Sequence, residues 1–131
     1  MVLLASYPRS GNTFLRNVLF EVYGIESKTY HLESHGADPG WEEAAFVKTH
    51  ELPENLPKSL SKRKTVYLIR DGRDSIVSLA HHRKNVFDID SDIEQNLLES
   101  INADEGSYFG GWSSPVIKWI SQADIVIHFE D

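Results

Sequence analysis

The sequence predicts an α/β fold in which helices cover both faces of a mostly parallel sheet, giving three layers. Short apolar runs typical of buried strands alternate with segments whose apolar residues recur at helical spacing. Strands that alternate with helices in this way pair in parallel through right-handed crossovers. The length of 131 residues suits one core, so residues 1–131 are predicted to form a single domain.

The first part of the chain predicts a strand, a tight turn and a helix. Val2–Ser6 is an apolar run that ends at a Tyr-Pro pair, as a buried strand would. Residues 13–23 carry apolar side chains at helical spacing, and Gly24 follows where helices often end. The polar stretch over residues 27–41 is expected to be a loop or a weak helix.

The middle of the chain predicts two further strands and a helix. Residues 45–49 are expected to form a short strand, and prolines at 53 and 57 mark the loop behind it. Residues 65–69 are the clearest strand, with four apolar side chains in succession. A helix is expected over residues 75–82.

The last part predicts two helices and a closing strand. Ser91 is expected to cap a helix that runs to Ile101, with Glu94 completing a capping box. Ser114 precedes a proline that suits the first position of another helix. Residues 125–129 are predicted to be the final strand.

Charge and composition restrict the ligands to be expected. The formal net charge of −7 argues against a nucleic-acid-binding protein, which usually presents a basic face. The bases concentrate between Lys48 and Lys84, which suits a small anionic ligand better than a polyanion. No apolar run approaches the roughly 20 residues that span a bilayer, so no membrane partner is expected. The sequence has no cysteine and opens directly on a strand, so a cytoplasmic setting without disulfides is expected.

Residues 6–13, with the sequence SYPRSGNT, lie between the first predicted strand and helix. This is the position of a phosphate-binding loop, where backbone N–H groups and a helix N-terminus face an anion. Gly11 permits close backbone approach, and Thr13 adds a hydroxyl in the first turn. The Walker pattern needs Lys where Asn12 stands, and the positive charge comes earlier, at Arg9. The pattern favours anion binding over a plain strand–turn–helix connection, but without the nucleoside-triphosphate signature.

Lys48 and His50 lie two residues apart at a predicted strand end, so their side chains share one face. A histidine can take a proton from an acceptor hydroxyl near neutral pH. A nearby lysine can neutralise charge that builds on a bridging oxygen. Taken alone, the pair is better explained as surface residues at the end of a strand.

Arg70 ends the clearest strand, and Ser78 lies early in the helix that follows. An arginine at the carboxyl end of a strand, with a serine in the next helix, can hold a phosphate. The alternative is a structural loop in which Arg73 pairs with Asp71 or Asp74. The two interpretations are compatible.

Together the three segments resemble the sulfotransferase family that uses 3′-phosphoadenosine 5′-phosphosulfate (PAPS), whose fold is P-loop nucleoside-triphosphate-hydrolase-like. Residues 7–14 look like its 5′-phosphosulfate loop, where the usual residues at the positions of Arg9 and Phe14 are Lys and Trp. The run Lys-Thr-His at 48–50, followed by Leu-Pro, is similar to a second family segment, with Glu51 as an extra residue. Residues 67–78 resemble its 3′-phosphate strand, loop and helix. The resemblance to the family extends to later landmarks, at Gly111-Trp112, Trp119 and residues 129–131.

The resemblance implies a role for each matched residue. Arg9 would contact the bridging oxygen and stabilise the leaving phosphate, Lys48 would stabilise the transferring group, and His50 would be the general base. The cofactor-binding residues would be Ser10, Gly11, Asn12 and Thr13 at the 5′-phosphate, Phe14 at the adenine, and Arg70 and Ser78 at the 3′-phosphate. No metal is implied, because fixed cations and backbone amides suffice for in-line sulfuryl transfer.

The resemblance implies a sulfotransferase that modifies a hydroxyl or amine on a small-molecule or carbohydrate acceptor. Two alternatives stay open: a catalytically silent nucleotide-binding remnant, and a small-molecule P-loop kinase, against which Asn12 argues. Family members usually continue with a Gly- and Lys-rich segment, so the domain is expected to be C-terminally short. We therefore expect weak nucleotide binding and an exposed apolar patch that favours a homo-oligomer. The sequence does not identify the acceptor.

Two patterns of metal-ligand type are set aside. A calcium-loop spacing over residues 88–99 has Ile93 where the sharp turn needs glycine. His31 and His35 could share a helix face, but no third ligand accompanies them. His81 and His82 are expected along a solvated helix face, and Trp119 is expected in the core.

Overall fold

The computed structural model describes residues 1–32, 36–104 and 108–130. Its strands are β1 Val2–Ser6, β2 Ser27–Thr29, β3 Phe46–Thr49, β4 Lys64–Ile69 and β5 Ile125–His128. Its α-helices are α1 Asn12–Tyr23, α2 Lys58–Ser61, α3 Gly72–His82, α4 Ile93–Ile101 and α5 Ser113–Ile120. Short 3₁₀ turns lie at Trp41–Glu43, Pro53–Asn55 and Tyr108–Gly110, and α3 continues into a π-helical stretch over Arg83–Phe87.

The strands form one sheet in the order β2-β3-β1-β4-β5, and every neighbouring pair is parallel. The register places Leu3 beside Val47 of β3 and Thr65 of β4. The predicted α/β fold with a parallel sheet is thereby confirmed. Because β1 is the central strand, the loop that follows it lies at the middle of the edge formed by the carboxyl ends of the strands.

The strand order creates a crevice at the carboxyl ends of β1 and β4. The chain leaves β1 towards β2 on one side and leaves β4 towards β5 on the other. Right-handed crossovers in opposite directions place their helices on opposite faces of the sheet. Helix α1 packs on β1, and α5 packs on β1 and β4. Ligands of such sheets bind where the connections diverge.

The core lies between the sheet and α5. Leu3 and Ala5 of β1 alternate with residues of the other face, as do Tyr67 and Ile69 of β4. Trp119 of α5 is buried against them, stacks on Tyr67 with 6.0 Å between ring centroids, and donates its indole N–H to the Glu51 carbonyl. The expectation that Trp119 is a core residue is confirmed.

Two local predictions are wrong. Residues 27–29 were expected in a loop or weak helix but form strand β2, because their backbone pairs with the edge of the sheet. Their polar side chains give no sign of this pairing in the sequence. Helix α4 is capped by Asp92, which accepts from the Gln95 backbone N–H at 2.9 Å. Ser91 donates to the Asp88 carbonyl and does not cap the helix.

Among the helices of the described residues, none is long and apolar enough to cross a membrane.

Candidate functional site

A cavity of about 600 Å³ opens at the crevice between β1 and β4. This volume lies in the range typical of small-molecule sites. Eight of the ten predicted site residues line it: Arg9, Gly11, Asn12, Thr13, Phe14, Lys48, His50 and Arg70. Ser10 and Ser78 are not among the lining residues. The fold therefore assembles three separate segments of the sequence around one space.

The loop between β1 and α1 turns through two left-handed residues. Arg9 has φ of 66° and Gly11 has φ of 91°. The first bond of the α1 ladder runs from the Leu15 N–H to the Gly11 carbonyl at 3.0 Å. The N–H groups before it have no partner within the helix, so they form a donor set for an anion.

The side chain of Asn12 points into the protein and holds the loop in place. This side chain is 3 % exposed and donates to the Leu4 carbonyl at 3.0 Å and to Ser6 Oγ at 3.1 Å. These bonds tie the start of α1 to the end of β1. The amide nitrogen is therefore occupied in the core, and the backbone N–H of Asn12 stands among the donors at the start of α1.

Phe129 lies over the loop, beyond the end of β5. Its ring meets Phe14 edge-on with 6.4 Å between centroids, and the Arg70 guanidinium lies 4.9 Å from its centroid. A Cβ atom built on Gly11 would come within 2.3 Å of this ring. Gly11 is thus required twice, for its left-handed backbone and for the space that Phe129 fills.

Replacing Gly11 by alanine is expected to destabilise the fold more than replacing Gly24 by alanine. Both glycines have positive φ, but a Cβ at Gly24 meets nothing within 4 Å. The backbone strain costs about 1–2 kcal/mol at either position, and overpacking against Phe129 adds about 1–3 kcal/mol at Gly11. Urea denaturation of both variants measures the difference. Equal losses would mean that the ring moves aside at no cost.

Arg9, Arg70 and Ser78 are linked at the carboxyl ends of β1 and β4. Arg9 Nε donates to Ser78 Oγ at 3.1 Å, and Arg70 donates to the Arg9 carbonyl at 3.2 Å. Arg70 also lies 3.8 Å from Asp74. The cavity beside the loop is therefore lined by two arginines, and Ser78 is linked to it through Arg9.

Arg73 makes the structural loop that the sequence left open as an alternative. It forms two side-chain hydrogen bonds to the Asp71 carboxylate, at 2.7 and 3.0 Å. Asp71 also caps α3 by accepting the Arg73 backbone N–H. The structural interpretation therefore holds for Arg73, while Arg70 lines the cavity and its phosphate contact stays a prediction.

His50 is held by its Nδ1 atom, which lies 2.7 Å from the Ser6 carbonyl and 3.4 Å from Ser6 Oγ. We assign the hydrogen to Nδ1 because a carbonyl can only accept, which leaves the lone pair on Nε2. Burial and then the charge of Lys48 hold the pKa of His50 well below its usual value, although the bond to Ser6 opposes them. The imidazole is therefore neutral near pH 7 and able to accept a proton.

Lys48 contributes a half-buried cation to the same cavity. Burial and then the charge of Arg16 lower the pKa of Lys48 to about 8, against the opposing effect of Asp38. Its Nζ lies 3.3 Å from His31 Nε2. Lys48 and His50 lie on the same cavity wall, as their two-residue spacing predicts.

Sequence reasoning did not assign the other lining residues to the site. They include His31, Glu51, His82, Phe87, Phe109 and Phe129. His82 was expected on a solvated face, yet it faces the cavity while His81 is exposed. Most of these residues come from loops, where neither periodicity nor a motif marks the direction of a side chain. Of the histidine pair set aside as a metal site, His35 lies outside the described residues.

Comparison with protein families gives a match to one domain. The family model described as "Sulfotransferase domain" matches residues 42–125. This segment contains the Lys48–His50 pair, Arg70 and Ser78. The matched segment is more than half of the chain.

Curated relatives with similar sequences are sulfotransferases. Sulfotransferase 1A1 of the dog is 29 % identical over 140 residues, which cover 90 % of this chain and 47 % of the relative. Human sulfotransferase 6B1 is 27 % identical over 104 residues, which cover 69 % of this chain and 34 % of the relative. The chain thus spans about half or less of the length of these relatives.

Solved structures with a similar fold include mouse sulfotransferase SULT7A1 complexed with PAP, at a TM-score of 0.76 and 22 % identity. The match covers 98 % of this chain and 51 % of that one. Retinol dehydratase, in complex with androsterone and the inactive cofactor PAP, superimposes at a TM-score of 0.62 and 21 % identity, covering 99 % of this chain and 54 % of that one. These matches establish the fold.

Proposed function

Because the chain belongs to the sulfotransferase family, we propose that it binds PAPS and transfers the sulfuryl group to an acceptor hydroxyl or amine. The observation that carries the proposal is the convergence of Lys48, His50 and Arg70 with the loop after β1 on one cavity. SULT7A1 and retinol dehydratase, whose folds are similar, are complexed with PAP. The same ligand chemistry suits the anion-binding groups of this cavity.

The residues present fit a nucleotide with phosphates at both ends of its ribose. The start of α1 supplies backbone donors for one phosphate, and Arg70 at the end of β4 supplies a separate cation for another. Within the described part of the chain, the buried Nε of Arg70, a residue that lines the cavity, has no hydrogen-bond partner. Such atoms are costly to leave unpaired, which favours a polar ligand at this end of the sheet.

Phe14 and Phe129 supply the apolar side of the nucleotide site. Phe14 is 66 % exposed at the first turn of α1, so much of its ring is open to a ligand although Phe129 contacts it. Its face can stack on an adenine, as the resemblance implies. Phe129 packs against its edge and limits the space in which a base can lie.

The chain's own groups then account for sulfuryl transfer. The donor supplies an activated sulfur whose bridging S–O bond breaks as the acceptor oxygen or nitrogen bonds to sulfur. His50 Nε2 accepts the proton that the acceptor loses. Lys48 and Arg9 neutralise charge on the transferring group and on the bridging oxygen, which leaves with the bond's electron pair on the nucleotide phosphate. The proton lost by the acceptor therefore goes to His50, and the negative charge of the leaving phosphate is neutralised by Arg9.

Nucleotide titration tests the proposal against a P-loop kinase. We expect calorimetric binding of adenosine 3′,5′-bisphosphate without magnesium, and weaker binding of ATP with magnesium. Asn12 supports this expectation because it stands at the Walker lysine position and its side chain is buried. A preference for magnesium-ATP would contradict the proposal. Sulfated product from a panel of acceptors would then distinguish an enzyme from a silent nucleotide-binding remnant.

The proposal extends to partners and location. The acceptor would be a small molecule or carbohydrate, and the chain would act in the cytoplasm, which agrees with the lack of cysteine. We also propose self-association, because several large apolar side chains are exposed on α1 and along β5. They include Phe20, Val22, Tyr23, Ile125 and Ile127.

Sedimentation velocity is expected to show a sedimentation coefficient that rises with protein concentration. Exposed apolar side chains on a helix and on an edge strand lower their free energy by pairing between copies. A monomer at every concentration tested would contradict self-association without affecting the proposed chemistry.

A further inference from the structure

His31, directly after the β2 edge of the sheet, lies in the wall of the cavity between two groups of the proposed mechanism. Its ring stacks on His50 with 5.4 Å between centroids and 24° between planes. Its Nε2 lies 3.3 Å from Lys48 Nζ, and its Nδ1 lies 4.0 Å from Glu51 Oε1. A carboxylate, an imidazole and an ammonium group thus follow one another inside the wall.

The hydrogen positions in this row follow from the chemistry of its ends. An ammonium group has only donors, so His31 Nε2 must accept from Lys48. The neutral ring then carries its hydrogen on Nδ1, the atom that faces the Glu51 carboxylate. Glu51 is itself fixed, because its Oε1 accepts the Leu32 backbone N–H at 3.0 Å and its side chain is 8 % exposed.

We propose that His31 is a positioning residue that holds the Lys48 ammonium in the cavity and keeps it protonated, while the negative charge of Glu51, 4.0 Å from Nδ1, favours the tautomer with its hydrogen on Nδ1. The consequence for catalysis rests on the proposed function, in which Lys48 must be charged. Other charged or titratable groups that act on this cluster are Arg16 of α1, Asp38 and His50.

Lys48 needs such a partner because its surroundings oppose its charge. Burial and the neighbouring Arg16 lower the pKa of Lys48 to about 8, so little further loss would leave a neutral amine near pH 7. A hydrogen-bond acceptor stabilises the charged form of a buried amine. His31 provides this acceptor without adding a negative charge next to the anion that the cavity is proposed to bind.

A direct test measures the titration of Lys48 by NMR in protein labelled with [ε-¹³C]lysine, using Lys48→Arg to assign its signal. We expect a midpoint near pH 8 in the unmodified chain, consistent with the lowered pKa. His31→Leu keeps the ring's bulk but removes the acceptor, so the midpoint should fall by about one unit, a tenfold loss of proton affinity.

Two amide variants provide matched controls. In His31→Gln the amide oxygen can take the place of Nε2, so the midpoint should stay close to that of the unmodified chain. In His31→Asn the shorter amide reaches only the place of Nδ1, so the midpoint should fall as in His31→Leu. The Asn variant also replaces His31→Leu if the latter does not fold, as judged by thermal unfolding. Identical midpoints in all variants, or equal shifts for Gln and Asn, would overturn the proposal.

The rate of sulfuryl transfer against pH separates this proposal from the proposed function. Loss of the Lys48 proton should end activity on the alkaline side of the pH–rate profile. In His31→Leu the pH at which activity is lost should fall by the same amount as the NMR midpoint. A shifted midpoint with no transfer by any variant would contradict the proposed function and support the role of His31. Sulfuryl transfer together with an unshifted Lys48 midpoint in His31→Leu would support the proposed function and contradict the role of His31.

Discussion

Replacing His50 by alanine is expected to lower the rate of sulfuryl transfer by about 10²–10⁴-fold, the usual contribution of a general base. The Ser6 carbonyl fixes Nδ1–H, so Nε2 is the proton acceptor that the variant loses. Binding of adenosine 3′,5′-bisphosphate should be unchanged, because the phosphate-binding groups belong to other segments. Single-turnover rates and calorimetric titration on the same preparation measure the two quantities.

His81→Ala is the matched control, since His81 lies on the exposed side of α3. This variant should keep both the rate and the affinity. Near-normal turnover in His50→Ala would remove His50 from the mechanism. A parallel loss of rate and nucleotide affinity would show instead that His50 supports the cavity wall.

Arg70→Ala should weaken binding of adenosine 3′,5′-bisphosphate about tenfold to a hundredfold, the effect of losing one charge-assisted contact of about 1.5–3 kcal/mol. Binding of adenosine 5′-monophosphate, which lacks the 3′-phosphate, should change much less. The guanidinium also supports the loop through the Arg9 carbonyl, and this second effect would act on both nucleotides alike. The ratio of the two affinities therefore isolates the 3′-phosphate contact.

Arg73→Ala removes the same charge three residues away. The Arg73 side chain is 90 % exposed and is paired with Asp71, so its loss should leave the affinity ratio unchanged. Equal losses for the two nucleotides in Arg70→Ala would show that Arg70 does not recognise the 3′-phosphate. A changed affinity ratio in Arg73→Ala would show that the overall positive charge of the loop, rather than a contact with Arg70, distinguishes the two nucleotides.

The parallel sheet was predictable from sequence because its central strands are buried on both faces. Such strands must be apolar throughout, so β1 and β4 stand out as continuous runs. Strand β2 is a half-buried edge strand with the sequence SKT, and it depends on pairing with β3 rather than on its own apolar residues. The cap of α4 was missed by one residue because Ser91 and Asp92 are both good capping residues and only the backbone path selects between them.

The lining of the candidate site was predictable where its residues follow strands. Arg9, His50 and Arg70 come just after β1, β3 and β4, whose carboxyl ends meet at one sheet edge. The inward turn of the Asn12 side chain was not predictable, because it depends on acceptors that the end of β1 provides only after folding. His31 and Phe109 approach His50 from distant loops, and their positions follow from tertiary packing.

The central place of β1 also constrains how the chain can be made. Ribosomes release the N-terminus first, at roughly 5–20 residues per second, so β1 emerges before either strand that pairs with it. Its apolar Leu3, Leu4 and Ala5 stay without neighbours until β3 and then β4 have left the exit tunnel. The nascent β1 segment therefore stays unpaired for as long as the chain up to β4 takes to emerge, and slower translation between β1 and β4 would lengthen this exposure.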